Sequence, residues 1–267
     1  MDKKRSSYWN EDYAKYWQAR VSESNETAIA SSIVKGDTAV PSDRLYLELI
    51  GLLQIAKGTR VLEMGCGFGR SIPLLYQLTQ SIDAIDISEA MIDLARKNCA
   101  KYQGVKFHVC EAESTPFEVG RFARVICFGV LDALYQKEAL IEMNRILVPH
   151  GRVLITGKND LYFEDDEKAL VAERNARAKE HPNYFTDVPA LLQNIHRFGF
   201  TVVVQRFFPR RGATSLNQIV REKPERFYEY ALILEKQTEP AVEARRLNIS
   251  AAMSKTYRDH PPAQNVP

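Results

Sequence analysis

The chain is expected to be an α/β protein built on a doubly wound, mostly parallel sheet. Three observations predict this. From Arg60 onward, short apolar runs alternate with amphipathic segments of helical period. The first run, Val61-Leu62-Glu63-Met64, leads into glycines at 65, 67 and 69. The second run ends on an acid, Asp86, 21 residues after Gly65. Glycines at a strand end let the backbone approach a nucleotide-like ligand closely, and an acid ending the next strand can accept hydrogen bonds from two ribose hydroxyls. The ligand implied contains adenosine.

The elements follow in order. Residues 1–58 precede the glycines and are expected to be largely helical, as an N-terminal cap. Tyr13, Tyr16, Trp17 and Val21 share one helical face, and Leu45, Leu47, Leu49, Ile50 and Leu53 suggest a second helix over 42–53. A core over 59–236 then alternates strand 60–64, helix 69–79, strand 82–86, helix 88–100 and strand 105–110. Strand 123–128, helix 137–147 and strand 152–157 complete it. Ser88 is a helix N-cap, with Met91, Leu94 and Ala95 on the buried side. Such βαβ units imply right-handed crossovers. Residues 159–185 break the alternation. Their charged helix, 165–180, carries little apolar surface and suits a lid better than a core element. Thr186 caps an amphipathic helix to Phe198, Pro189 is tolerated in its first turn, and Gly199 ends it. Strands 200–208 and 227–235 follow, and 237–267 is a tail ending in a Pro-rich stretch.

Composition narrows the class. The 267 residues are 45% hydrophobic, and the formal net charge of +2 provides no strong field for nucleic acid or an anionic membrane. The basic clusters Lys3-Lys4-Arg5, Arg210-Arg211 and Arg245-Arg246 are scattered. Cysteines 66, 99, 110 and 127 have no metal-ligand spacing, and the five histidines form no i, i+4 pair. Buried thiols, no metal and a reducing cytoplasm are the expectations. No run approaches the length of a membrane span, and the polar N-terminus is no signal peptide.

The cofactor class follows from the glycine spacing. A dinucleotide turn is G-x-G-x-x-G, but here the third glycine is two after the second, and Arg70 stands at the dinucleotide position. A nicotinamide dehydrogenase is therefore disfavoured. Glu63, two residues before Gly65, opposes a pyrophosphate and suits a cationic ligand. The pattern E-x-G-x-G-x-G resembles the first motif of class I S-adenosylmethionine-dependent methyltransferases. Four further stretches resemble that family's later motifs: 86–91, 105–117, 122–134 and 142–156, the last with His150 in place of a glycine. The resemblance implies a Rossmann-like, seven-stranded sheet with the last strand antiparallel, and S-adenosyl-L-methionine as cofactor.

It also implies roles. Glu63, Gly65, Cys66 and Gly67 would border the methionine part of the cofactor. Asp86 would hold the ribose. Ile87 and Met91 would pack against the adenine and Glu111 would accept from its amino group, with Ala112 and Phe128 as further cofactor-binding residues. Tyr16 and Arg20, one turn apart on the N-terminal helix, would hold the methionine carboxylate. The aromatic group Tyr8, Trp9, Tyr13, Tyr16 and Trp17 can close over the site or simply pack on the core. Ligands in open α/β sheets bind beyond the carboxyl ends of the strands. Asp132 and Asp160, after strands four and five, are therefore the candidate acceptor-site acids, with His181 of the lid as candidate base.

The expected reaction is in-line methyl transfer to a nitrogen or oxygen of a small-molecule acceptor. Carbon methylation stays open, as does a homodimer. An RNA or protein methyltransferase is the alternative, but strand four exits as F-G-V-L-D rather than N-P-P-Y or D-P-P-Y. A non-catalytic cofactor-binding partner protein is the remaining alternative.

Overall fold

The computed structural model describes residues 3–13, 15, 43–160, 184–209 and 219–238. In order, helix α1 (Lys3–Tyr8) continues into a π-helical turn (Trp9–Tyr13), and α2 is Asp43–Gly51. The core begins with β1 (Val61–Met64), α3 (Ile72–Tyr76), β2 (Ile82–Asp86), α4 (Glu89–Asn98) and β3 (Lys106–Val109). Then come β4 (Phe122–Cys127), a 3₁₀ turn (Leu131–Ala133), α5 (Gln136–Ile146) and β5 (Leu147–Lys158). After the lid region lie α6 (Val188–Asn194), a 3₁₀ turn (Ile195–Phe198), β6 (Phe200–Phe208) and β7 (Glu229–Lys236).

The seven strands form one sheet in the order β3-β2-β1-β4-β5-β7-β6. β1 to β5 pair in parallel, and β7 runs antiparallel to both β5 and β6. This is the expected doubly wound topology with one reversed strand. It explains the composition of β1, which is central and buried at all four positions. A parallel strand covered on both faces is mostly apolar, and Glu63 is the one exception in β1, whereas edge strand β3 carries Lys106 and His108. Alternation still sorts side chains between two cores. Leu62 and Met64 join Val125, Leu140 and Ile155 on one face, and Val61 joins Leu49, Ile82 and Leu154 on the other. Because β1 is central, its last residues and the glycines after it lie mid-sheet, where strand order reverses between β1 and β4.

Several boundaries differ from expectation, each for a local reason. α3 spans 72–76, not 69–79, because Gly65, Gly67 and Gly69 all take positive φ and carry the loop as far as Ser71, its N-cap. α2 buries Leu45, Tyr46, Leu49 and Ile50, while Leu47 is exposed; Tyr46 takes the inward place expected of an aliphatic residue. Leu94 is half-buried, and Ile92 is the residue that reaches the core from α4.

β5 starts at Leu147, not 152: Leu147 pairs with Phe122, and the ladder resumes at Arg152 opposite Arg124. The intervening residues include His150 at φ +60. Thr186 does not cap α6. Asp187 does, accepting from the Ala190 amide, while the buried Thr186 hydroxyl bonds the Tyr230 hydroxyl at 2.8 Å. Gly199, at φ +75, closes the following turn as expected. The 165–180 helix, most of the lid and most of the C-terminal tail lie outside the described residues.

Cys66, Cys99 and Cys127 are buried and Cys110 is half-buried, all as free thiols. Burial pushes Cys99 up to about 11 and Cys110 up to about 12, so neither is a thiolate at neutral pH. Among the described residues, no group of three His, Cys, Asp or Glu side chains could hold a metal ion, and no helix is long and apolar enough to cross a membrane.

Candidate active site at the carboxyl ends of the strands

The amides of Gly65 and Cys66 donate to the Ile85 carbonyl at 2.8 and 2.9 Å, which folds the turn after β1 back against the end of β2. Gly65 sits at φ +70, and a Cβ there would lie 2.5 Å from a Val130 methyl. The β4 exit therefore presses directly on the loop. Gly67, at φ +52, faces open space where a Cβ would be. The loop thus has one side packed on protein and one side free for a ligand.

Asp86 stands across from it. One carboxylate oxygen accepts from the Gly67 amide at 2.9 Å and the other from the Ser88 amide at 2.9 Å. Asp86 thereby ties the glycine loop to the N-terminus of α4. Ile87 is half-buried beside it, and Met91 and Ala112 are buried. Glu111 is half-buried at the exit of β3, where the Cys110 amide donates to the Asp86 carbonyl at 3.0 Å.

Glu63 is the most unusual group. It is 4% exposed, at the end of β1. Its Oε1 accepts from the Tyr46 hydroxyl at 3.3 Å and from the Ser71 hydroxyl. Its Oε2 is buried with no hydrogen-bond partner. Burial pushes its pKa up to about 7, against the opposing effect of the Ser71 and Tyr46 hydrogen bonds and the Arg70 charge. An acceptor left bare in a native core calls for an explanation, and a bound cation or donor supplies one. The Tyr46 ring also meets Phe128 edge-on, at 5.0 Å between centroids. One tyrosine of α2 thus joins two of the expected cofactor residues. Tyr46 and Ser71 were missed by sequence reasoning. The only signal was a hydroxyl-bearing ring in an otherwise aliphatic face.

Asp132 and Asp160, the expected acceptor-site acids, lie beyond the ends of β4 and β5. Asp132 is buried. Its oxygens accept from the Lys158 amide at 3.2 and 3.3 Å, and Lys158 Nζ lies 3.4 Å away. Burial raises its pKa, opposed by the Lys158 charge and hydrogen bonds. Lys158 Nζ also lies 5.4 Å from the centre of the Phe185 ring. Gly157 is enforced by this arrangement, since a Cβ would lie 2.8 Å from both Asp132 Oδ1 and the Tyr230 hydroxyl. Asp160 is half-exposed, and its amide donates to the Thr186 carbonyl at 2.9 Å. Tyr16, Arg20 and His181 lie outside the described residues.

Residues 61–151 match the family model described as a methyltransferase domain. Over those residues the chain resembles a methyltransferase domain. Its sheet, with one reversed strand at the β5 side, is that of class I S-adenosylmethionine-dependent methyltransferases, and S-adenosylmethionine is the cofactor of that class. Two relatives are named demethylmenaquinone methyltransferase. The one from Clavibacter sepedonicus is 32% identical over 140 residues, covering 47% of this chain and 57% of that protein. The one from Staphylococcus aureus is 35% identical over 104 residues, covering 38% and 43%. The chain spans about half the length of these curated relatives.

Among solved structures, phosphoethanolamine N-methyltransferase 2 from Haemonchus contortus superposes with a TM-score of 0.65 at 15% identity, over 89% of this chain and 61% of that one. Magnesium protoporphyrin IX methyltransferase from Synechocystis gives 0.59 at 15%, over 87% and 97%. At these identities the likeness is one of fold.

Proposed function

We propose that the chain is an S-adenosylmethionine-dependent methyltransferase acting on a nitrogen or oxygen of a small-molecule acceptor. The observation that carries this reading is the bare, buried Oε2 of Glu63 beside a glycine loop with one open side. A cofactor with an ammonium and a sulfonium and no phosphate suits that carboxylate; a pyrophosphate would be repelled. When bound, S-adenosylmethionine supplies an electrophilic methyl group.

The chain's part is binding, orientation and exclusion of water. Glu63 takes up positive charge at the methionine end. Asp86 accepts from the ribose hydroxyls while still holding Gly67 and Ser88. Ile87, Met91 and Ala112 supply apolar walls for the adenine, with Glu111 as acceptor for its amino group. Holding acceptor and methyl in line at near-attack distance lowers the barrier by up to about 7–11 kcal/mol in favourable cases. No covalent step on the protein is required. Asp132 then acts by holding Lys158 at the acceptor mouth rather than by touching the acceptor. The N-terminal residues 1–58 serve as a cap, and 159–185 as a lid.

Calorimetric titration with S-adenosylhomocysteine, with NAD as control, tests the cofactor. Micromolar binding of the first with no heat from the second is expected. NAD binding alone would overturn the reading. The relatives' name favours a second acceptor class, a demethylmenaquinone-like quinone. The matches cover less than two thirds of either relative, so the name supplies only a candidate acceptor class. An acceptor screen spanning amines, alcohols and such a quinone separates the two.

A further inference from the structure

We infer that Asn10 is a positioning residue for the cofactor site, latching the N-terminal segment onto the ribose end of the pocket. The inference rests on the reading of Asp86 as the ribose acid. Asn10 Oδ1 accepts two hydrogen bonds, from the Ser88 hydroxyl at 2.8 Å and from the Ala90 amide at 3.3 Å. Both donors belong to the first turn of α4. The Asn10 amide group is braced in turn, donating to the Ser6 hydroxyl at 3.2 Å.

Ser88 is fully buried and central to the linkage. Its hydroxyl donates to Asn10 and accepts from the Met91 amide at 3.2 Å, so it caps α4 and holds the N-terminal segment at once. Its amide donates to Asp86, whose other oxygen receives the Gly67 amide. A continuous series therefore runs Asn10, Ser88, Asp86, Gly67. It links a residue near the start of the chain to the two features that define the pocket.

The Asn10 side chain is delivered by the π-helical turn Trp9–Tyr13, directly after α1. A π turn shifts side-chain phase relative to an α-helix and is common where a helix is bent to a task. With Asn10 docked, the Ser88 hydroxyl proton is engaged by Asn10, and the α4 N-terminus is held in one position. Without it, the Ser88 hydroxyl and the Ala90 amide lose a partner, and the acid-bearing turn loosens. The consequence is slower release of bound nucleoside while the segment is latched.

The chain supplies its own reporter. Its only tryptophans, Trp9 and Trp17, lie in the N-terminal segment, so tryptophan emission follows that segment alone. The experiment mixes full-length protein with S-adenosylhomocysteine, then follows emission and release in a stopped-flow instrument. Wild type is expected to show an emission change on binding. Asn10→Ala should release the ligand about tenfold faster, equivalent to about 1.4 kcal/mol, alongside a modest loss of stability in the ligand-free protein. Asn10→Asp, which keeps an acceptor oxygen at a helix N-terminus, should restore slow release. Ser6→Ala, which frees the brace without touching α4, should speed release to a lesser degree. Asn10→Ala with lowered stability but wild-type release would overturn the inference, since the residue would then be structural only. Fast release in Asn10→Asp would also overturn it. Failure of wild type to bind S-adenosylhomocysteine at all would instead refute the cofactor reading on which the inference rests.

Discussion

Glu63 makes the sharpest prediction, because one buried carboxyl couples folding to ligand binding. It titrates at about 7 in the fold, raised by burial. In the unfolded chain a glutamate titrates near ~4.3. Between those values the native state binds a proton that the unfolded state does not. Stability is therefore highest below the lower value and is lost as pH rises through the upper one. At about 1.4 kcal/mol per pH unit, the loss across the whole window is roughly 4 kcal/mol, of which about 2.5 kcal/mol falls between about pH 5 and 7.5. Glu63→Gln keeps the shape and an acceptor for Tyr46 and Ser71, but it cannot ionise. Urea unfolding of ligand-free protein from pH 5 to 7.5 should show that decline in wild type relative to Glu63→Gln.

Ligand binding should run the opposite way. The ammonium group of the ligand prefers the ionised carboxylate, so binding expels the proton when the pH is below about 7. The affinity for S-adenosylhomocysteine should then rise roughly 20-fold from pH 5.5 to 7.5, following the ionised fraction of a single carboxyl. The neighbours do not blur this, because Tyr46 and Cys66 are pushed well up by burial and stay neutral throughout. Glu63→Gln should bind weakly and without that pH dependence. A flat wild-type profile, or the same slope in Glu63→Gln, would refute both the buried-carboxylate argument and the role given to the bare oxygen.

Three further outcomes follow from the same geometry. Asp86→Ala removes the acceptor of the Gly67 and Ser88 amides as well as the proposed ribose contacts; calorimetry should show at least a roughly 30-fold loss, about 2 kcal/mol, of S-adenosylhomocysteine affinity, and unchanged affinity would remove the ribose assignment. Gly65→Ala places a Cβ 2.5 Å from Val130 at φ +70, and combined overpacking and backbone strain should cost about 3 kcal/mol in urea unfolding. His150 stands at φ +60 with an exposed side chain, so His150→Gly should stabilise by about 1 kcal/mol with S-adenosylhomocysteine affinity unchanged.

The sheet was legible because its central strands have little freedom of composition. β1 and β4 are central strands, and apart from Glu63 and Arg124 they are apolar runs. Gly65 and Asp86 were legible for a related reason: a positive φ and a strand-end acid are tied to local backbone geometry, and spacing along the chain reports it. The errors came where a tertiary partner decided the outcome. Nothing local distinguishes Thr186 from Asp187 as a cap. Thr186 is taken out of that role by Tyr230 and Gln136, which lie far away in sequence. The early start of β5 likewise depends on Leu147 finding Phe122. The substitution of His150 for glycine was visible, but only its φ shows that the chain keeps the glycine conformation with a residue poorly suited to it.

The two halves of the candidate site differ in the same physical way. The cofactor half is built largely from backbone groups and from side chains within one βαβ unit, so its parts recur at short, readable intervals. The acceptor half is built from side chains that meet only in three dimensions: Asp132 with Lys158, Gly157 against Tyr230, Gln136 with Thr186. No spacing rule connects those pairs. An acid after β4 could be recognised as well placed, but not as already engaged. Tyr46 and Asn10 extend the point to the cofactor half. Both come from before the first strand, and both finish groups whose cores were readable, Glu63 and the Ser88–Asp86 turn. Chemistry shared across a fold is thus written locally. What individualises the pocket is supplied from outside the unit, and it is there that substitutions should separate this chain from proteins of the same sheet.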